Sequence, residues 1–181
     1  MELYEKTLNS KTVYDGKVIH VTLDKVELPN GHNAMREVVN HNGGVCIVAM
    51  NDNDEIYFVR QFRYPYHEVV LEIPAGKLEK GTTPLENGMR ELKEEVGATG
   101  KDYRFLGELY PSPGYTSEVI YLYSCKIDTL GEDCPDEDEF LNVEKIPIDK
   151  AVQMILDNTI KDSKTQTAIL KTYLFRQKGI L

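Results

Sequence analysis

No segment of this chain is apolar for long enough to cross a bilayer as a helix. The longest such run, VCIVAM, covers residues 45–50, where a spanning helix needs roughly 20. The opening MELYEKTLNS has neither a basic n-region nor an apolar h-region, so no signal peptide is expected. Cysteine is scarce: Cys46, Cys125 and Cys134 are odd in number and widely spaced. That pattern fits neither a disulfide framework nor a zinc motif, and it suits a reducing cytoplasm. Positive charge is also short, with 21 Lys and Arg against 30 Asp and Glu and a formal net charge of −9. Nucleic-acid affinity comes largely from neutralising phosphates, so nucleic acid is not an expected partner, and neither is a membrane. A small phosphate-bearing ligand stays open, provided local arginines or bound cations reverse the field. Internal repeats and low-complexity tracts are absent.

What remains is a chain of 181 residues, 41% hydrophobic and 28% charged, the profile of one globular domain with room for an appendage. Residues 12–42 are strand-rich: VIHVTLDKVEL and AMREVV flank PNGH, where Asn30-Gly31 is a hairpin signal. Gly43-Gly44 separates this piece from VCIVAM, a short buried strand, and NDND (51–54) turns the chain into EIYFVRQF. VVLEIPAGKL reads as a further strand running into a Pro-Ala-Gly loop, and RFLGELY, VIYLYSCKI and EFLNVEKIPI read as strands. IDKAVQMILDN and SKTQTAILKTYLFRQK read as closing helices, the second with Ser163 as N-cap. The expectation is a mixed α/β domain over residues 44–181 behind a β-rich N-terminal appendage over 1–43.

RELKEEVG (90–97) crowds three glutamates into eight residues. Thr83-Pro84-Leu85-Glu86 predicts the start of a helix, with a capping box between Thr83 and Glu86 and proline at the first helical position. Gly97 predicts its end. Leu85, Met89, Leu92 and Val96 recur at spacings that predict the buried face. Glu91, Glu94 and Glu95 then converge at i, i+3 and i+4, where like charges cost about 0.2–0.5 kcal/mol per pair. On spacing alone a solvated charged face is the commoner reading. The alternative is a site for hard divalent cations, which require clustered oxygens.

The wider stretch PAGKLEKGTTPLENGMRELKEEVGA resembles the Nudix hydrolase signature, G-x5-E-x7-R-E-U-x-E-E-x-G-U with U a bulky aliphatic residue. Gly76, Arg90, Glu91, Leu92, Glu94, Glu95 and Gly97 hold their places. Thr82 replaces the first glutamate and Ala98 is smaller than the usual aliphatic; Glu79 or Glu86 is a candidate to compensate for Thr82. REVVNHNGGV, VRQFRYP, LEIPAGKLEKG, YPSPGYTSE and DEDEF extend the likeness toward the ADP-ribose pyrophosphatase branch. Pro113, sixteen residues beyond Gly97, has the placement of that subgroup.

The resemblance implies a Nudix fold, an α+β arrangement with a mixed β-sheet packed between helices and an N-terminal antiparallel β appendage serving dimerisation and adenine contacts. It implies Mg²⁺ (or Mn²⁺) held by Glu91, Glu95, Glu94 and the carbonyl of Ala75, with Arg90 locking the helix glutamates by salt bridges. Arg90 reads equally as an i,i+4 partner of Glu86 or Glu94. Arg63 would reach the substrate phosphates, where a planar guanidinium fork suits paired oxygens. Arg36 and Glu37, with Lys17 and Val18 after Gly16, would frame the adenine or its ribose; ordinary cross-strand charge pairing is the competing reading for Arg36 and Glu37. Glu118, after Pro113-Gly114, would contact the terminal ribose. The acidic stretch EDCPDEDEF (132–140) is by composition a solvated loop. By resemblance it supplies Glu137 as general base and Glu139 as a further metal ligand, with Asp136 and Asp138 offering the same chemistry. The implied activity is hydrolysis of ADP-ribose to AMP and ribose 5-phosphate by a cytoplasmic homodimer. Its rivals are hydrolysis of another ADP- or GDP-sugar, with Tyr115 and Glu118 setting the choice, and a sensor that binds a nucleotide sugar without cleaving it.

Overall fold

A computed structural model describes residues 2–131 and 140–180. The chain forms two compact units. The smaller takes Met1–Gly43 together with Tyr110–Val119. Its three-stranded antiparallel sheet runs in the order β1 (Lys6–Asp15), β2 (His20–Glu27), β3 (Asn33–Asn40). Strand β1 starts earlier than the apolar pattern predicts, because all ten of its residues are exposed and KTLNSKTVYD carries no hydrophobic alternation to mark it. The β2–β3 connection is longer than a two-residue turn. Glu27 pairs with Asn33, the Leu28 amide donates to His32, and Gly31, at φ 81°, takes the left-handed position. Tyr110–Val119 joins this unit through Thr116, which bridges Val39 in parallel: the Val39 amide donates to Tyr115 (2.7 Å) and the Ser117 amide to Val39 (3.0 Å).

The larger unit holds a mixed sheet. Its strands are β4 (Gly44–Met50), β5 (Glu55–Arg63), β6 (Glu68–Glu72), β7 (Ala75–Lys77), β8 (Ala98–Leu109), β9 (Ile120–Leu130) and β10 (Leu141–Pro147). The central order is β10-β5-β4-β9-β8, with β6 paired to β5 and β7 to β4. All seven residues of β4 are buried, as a strand covered on both faces requires. Its side chains alternate accordingly. Cys46, Val48 and Met50 enter a core with Phe58, Leu122, Ile155, Ala168 and Ile169, built against α2 (Ile148–Leu156) and α3 (Ser163–Gln177). Ile47 and Ala49 enter a second core with Val59, Leu92, Val96 and Cys125, built against α1 (Pro84–Val96). The predicted sheet between helices is therefore present. No helix among the described residues is long and apolar enough to cross a membrane.

Helix α1 begins and ends where the sequence predicts. The Thr83 hydroxyl accepts from the Glu86 amide, the Glu86 carboxylate accepts from the Thr83 amide, and Gly97 takes φ 68°. Its buried face differs. Met89 is 44% exposed, while Asn87, Gly88, Glu91, Leu92, Glu95 and Val96 are buried. Gly88 is the reason: a Cβ there would stand 2.8 Å from Ile47 Cδ1 and 3.0 Å from Val45 Cγ2. The helix backbone thus lies close on β4 along Gly88, Leu92 and Glu95, and Met89 turns outward. For α3 the N-cap is Asp162 rather than Ser163, its carboxylate accepting from the Thr165 amide at 2.9 Å.

Candidate active site

The close approach of α1 to β4 also brings its acidic face against β7. A Cβ on Gly76 would land 1.8 Å from Glu91 Oε1, so the missing side chain leaves the space that the Glu91 carboxyl fills. The Ala75 amide donates to Glu95 Oε2 at 3.1 Å. Glu91 and Glu95 are 9% and 3% exposed, an unusual depth for carboxylates.

Arg90 gathers three acids. Its Nη2 donates to Glu91 Oε1 (2.7 Å) and pairs with Glu79 (3.2 Å), and its Nη1 donates to Glu94. Burial tends to lower the Arg90 pKa, but the charges of Glu91, Glu94 and Glu79 outweigh it and keep the guanidinium above its ordinary value. Glu79 thus reaches the arginine, whereas Glu86 is engaged in the helix cap. Where the signature has its first glutamate, the Thr82 hydroxyl donates to the Glu79 carbonyl at 3.1 Å. Asn87 completes the brace: Oδ1 accepts from the Glu79 amide (3.1 Å), and Nδ2 donates to the Thr82 hydroxyl and to the Thr83 carbonyl (2.9 Å). Asn87 is 1% exposed. The sequence reading passed over it, because Asn87 lies two residues from the predicted packing stripe at Leu85 and Met89 and its burial follows from the rotation of the helix.

These donors suit a hard cation. All are oxygens, and the Glu91–Glu95 face meets the Ala75-Gly76 main chain, where a carbonyl can join them. Among the described residues no group of three or more histidine, cysteine, aspartate or glutamate side chains is placed to hold a metal ion. An open carboxylate face is the arrangement that Mg²⁺ uses when substrate phosphates and water fill the remaining positions.

Beside this face stands an ion cluster that the sequence did not reveal. Arg63 donates from Nε and Nη2 to Glu72 at 2.6 and 2.7 Å. Lys164, from the first turn of α3, donates to the same carboxylate and pairs with Asp162 at 3.1 Å. Glu72 is 2% exposed. Burial pushes its pKa up, but the hydrogen bond from Arg63 and the charges of Lys164 and Arg63 prevail, holding it below the ordinary value. The hydrogen bond to Glu72 raises the Arg63 pKa against the effect of burial. The charges of Glu72, Asp162 and Glu95 act in the same direction, which puts Arg63 within electrostatic reach of the acidic face.

The smaller unit carries the other candidates. Arg36 makes a two-pronged pair with Glu5 (Nε 2.9 Å, Nη2 2.7 Å), while Glu37 is exposed on β3 opposite Leu23. Lys17 and Val18 are exposed in the β1–β2 turn. Pro113 and Gly114 lie in a turn closed by amides of Tyr115 and Thr116 on the Ser112 carbonyl (3.2 and 3.1 Å). Glu118 follows, its amide donating to the Thr116 hydroxyl and its carboxylate 3.4 Å from His41 Nδ1. That nitrogen accepts from the Gly43 amide at 3.0 Å, which makes it the unprotonated one in the neutral ring. Glu137 and Glu139, with Asp136 and Asp138, lie outside the described residues.

Comparison with known proteins agrees with this architecture. The NUDIX domain family matches residues 40–167, and the nucleoside diphosphate sugar hydrolase N-terminal domain matches residues 5–39. The chain is 40% identical over 178 residues to a methanol dehydrogenase activator of Bacillus methanolicus, covering 97% of this chain and 95% of the relative. It is 39% identical over 182 residues to an ADP-ribose pyrophosphatase of Bacillus subtilis (strain 168), covering 97% and 98%. A crystal structure of an ADP compounds hydrolase superposes over 100% of both chains with a TM-score of 0.86, at 24% identity, a likeness of fold. The chain belongs to the Nudix hydrolase family, in the group whose Nudix domain follows a nucleoside diphosphate sugar hydrolase N-terminal domain.

Proposed function

We propose that this enzyme hydrolyses the pyrophosphate bond of ADP-ribose, releasing AMP and ribose 5-phosphate. The observation that carries the reading is the pair of buried carboxylates, Glu91 and Glu95, folded against the Ala75-Gly76 main chain with Arg63 alongside. A relative 39% identical along nearly its whole length bears the name of that activity. Glu91, Glu95, Glu94 and the Ala75 carbonyl are the ligands for Mg²⁺, with Mn²⁺ as the alternative and Glu139 as a further ligand. A divalent cation bound there neutralises diphosphate charge, aligns the phosphates and acidifies water.

The chain's own groups do the rest. Arg90 fixes the orientation of Glu91 and Glu94 through its three ion pairs. Arg63 binds phosphate oxygens with the part of its fork that Glu72 leaves open. Glu137 accepts the proton that water loses as its oxygen attacks phosphorus and the P–O bond of the leaving phosphate breaks. Arg36, Glu37, Lys17 and Val18 contact the adenosine end, and Pro113, Gly114 and Glu118 contact the terminal ribose. In the free chain Arg36 is paired with Glu5, so that contact requires Arg36 to share or exchange its partner.

The working form we propose is a cytoplasmic homodimer joined through the N-terminal strands. Exposed Leu8, Val13 and Tyr14 on β1 support that choice, as does the burial of Cys46 and Cys125 as free thiols. The test is a panel of nucleotide sugars, each assayed for product with Mg²⁺, with Mn²⁺ and with chelator. ADP-ribose should lead the panel and chelator should abolish turnover. Faster cleavage of a GDP- or other ADP-sugar overturns the substrate assignment, binding without cleavage points to a sensor, and chelator-resistant turnover overturns the metal site. Sedimentation velocity on the same preparation should give a dimer, and a monomer at micromolar concentration removes the proposed interface.

A further inference from the structure

The Arg63–Glu72–Lys164–Asp162 cluster has no counterpart in the roles assigned above except through Arg63. Lys164 is the unusual member. It sits in the first turn of α3, where the helix dipole disfavours a cation, and its side chain is only 12% exposed. It points at Glu72, a carboxylate 92 residues earlier in the chain. The start of α3 is fastened to the same place by a second contact: the Ile73 amide donates to the buried Thr165 hydroxyl at 3.0 Å. The helix therefore closes over Glu72 and Ile73, directly before β7, which carries Ala75 and Gly76.

At the other end of the cluster, Glu72 takes both Nε and Nη2 of Arg63, while the Arg63 side chain is 39% exposed. One edge of the guanidinium is clamped. Among the described residues Nη1 has no hydrogen-bond partner, so the open edge is available to an anion. Because Glu72 is shared with Lys164, its charge is not given to Arg63 alone. Asp162 in turn balances Lys164, and the four formal charges cancel. What the cluster supplies is direction rather than net charge.

We propose that Glu72 and Lys164 are positioning residues for substrate, holding the Arg63 guanidinium so that its open edge meets the diphosphate. The inference rests on the reading of Arg63 as a phosphate-binding residue. A guanidinium fixed in advance loses less rotamer freedom on binding than a mobile one. Removing Lys164 lets Glu72 draw Arg63 inward, and removing the Glu72 charge lets Arg63 wander.

The experiment is a double-substitution cycle read by calorimetric titration of ADP-ribose without divalent cation, so that nothing turns over. Arg63→Ala should weaken binding about tenfold and Lys164→Met about fivefold, with the double variant no weaker than roughly the Arg63→Ala level, because the two act as a unit. Lys164→Arg should recover much of the loss. A Lys164→Met protein that folds and binds within about twofold of the parent overturns the inference, as do losses that multiply in the double variant. A purely structural fastening of α3 would give one of those two results. Should Lys164→Met fail to fold, Glu72→Gln runs the same cycle with the side-chain shape kept. Unchanged binding in Arg63→Ala overturns the phosphate-binding role of Arg63 itself, a different failure with a different signature.

Discussion

At Gly76 an added methyl group would fall 1.8 Å from Glu91 Oε1 and 2.0 Å from its carboxyl carbon. The backbone there is outside the left-handed region, so alanine is tolerated conformationally, and the conflict is with the Glu91 side chain, whose Cγ would also lie only 2.5 Å away. Gly76→Ala should cost about 1–3 kcal/mol, because the buried, ion-paired Glu91 side chain must move to admit the methyl group. Turnover should fall roughly a hundredfold, the scale of an ångström-sized misplacement of a catalytic group. Thermal melts and steady-state kinetics on one preparation check both halves; normal turnover would remove Glu91 from the site. The sequence reading singled out Glu91 and Glu95 by their helical spacing together with the likeness to the Nudix signature, and Arg90 by that likeness. It passed over Glu72, Lys164 and Asn87, whose partners lie across turns or 92 residues away, distances that periodicity does not encode.

Helix α1 shows which features of an element can be read locally. Its ends depend on Thr83, Pro84, Glu86 and Gly97 acting on neighbouring main chain, and these follow from the residues themselves. Its rotation depends on what Gly88 meets on β4, and Met89 is turned out for that reason. A branched side chain at position 88 should therefore act as a wedge. Gly88→Val is expected to cost about 1–3 kcal/mol by overpacking against Ile47 and Val45, and to lift Glu91 and Glu95 from β7. Denaturant melts should show the loss of stability, and Mn²⁺ titration followed by paramagnetic resonance should show weaker uptake in the folded fraction. Full Mn²⁺ affinity with lowered stability would separate the helix packing from the cation site. Strand β1 gives the opposite lesson: a ten-residue strand with both faces exposed leaves no hydrophobic pattern to read.

For the whole molecule, the ionisable groups in the interior set limits on the pH range of stability. Glu72 has its folded pKa below the usual 4.5, so its contribution is complete above that value and is lost as pH falls through the folded one. The thiols of Cys46 and Cys125 are raised by burial from 9.0 to about 12. Above pH 9 the unfolded thiols ionise while the folded ones keep their protons, so stability declines between pH 9 and 12, each thiol contributing about 1.4 kcal/mol per pH unit at full slope. Urea unfolding at pH 8, 9, 10 and 11 should show that decline, and Cys46→Ala should flatten it whatever its own packing cost. An equal slope in that variant would assign the alkaline limb to other groups.

The order in which the chain is made adds a timing to the ion cluster. Glu72 leaves the ribosome 92 residues before Lys164, an interval of roughly 5–20 s at ordinary elongation rates. Throughout it, the nascent sheet carries a carboxylate whose second cation and covering helix have not been synthesised. The segment beginning at Asp162 therefore completes the cluster late, and a message truncated before it would yield a chain that keeps Glu91, Glu94 and Glu95 but, among the described residues, leaves Glu72 with Arg63 as its one cation.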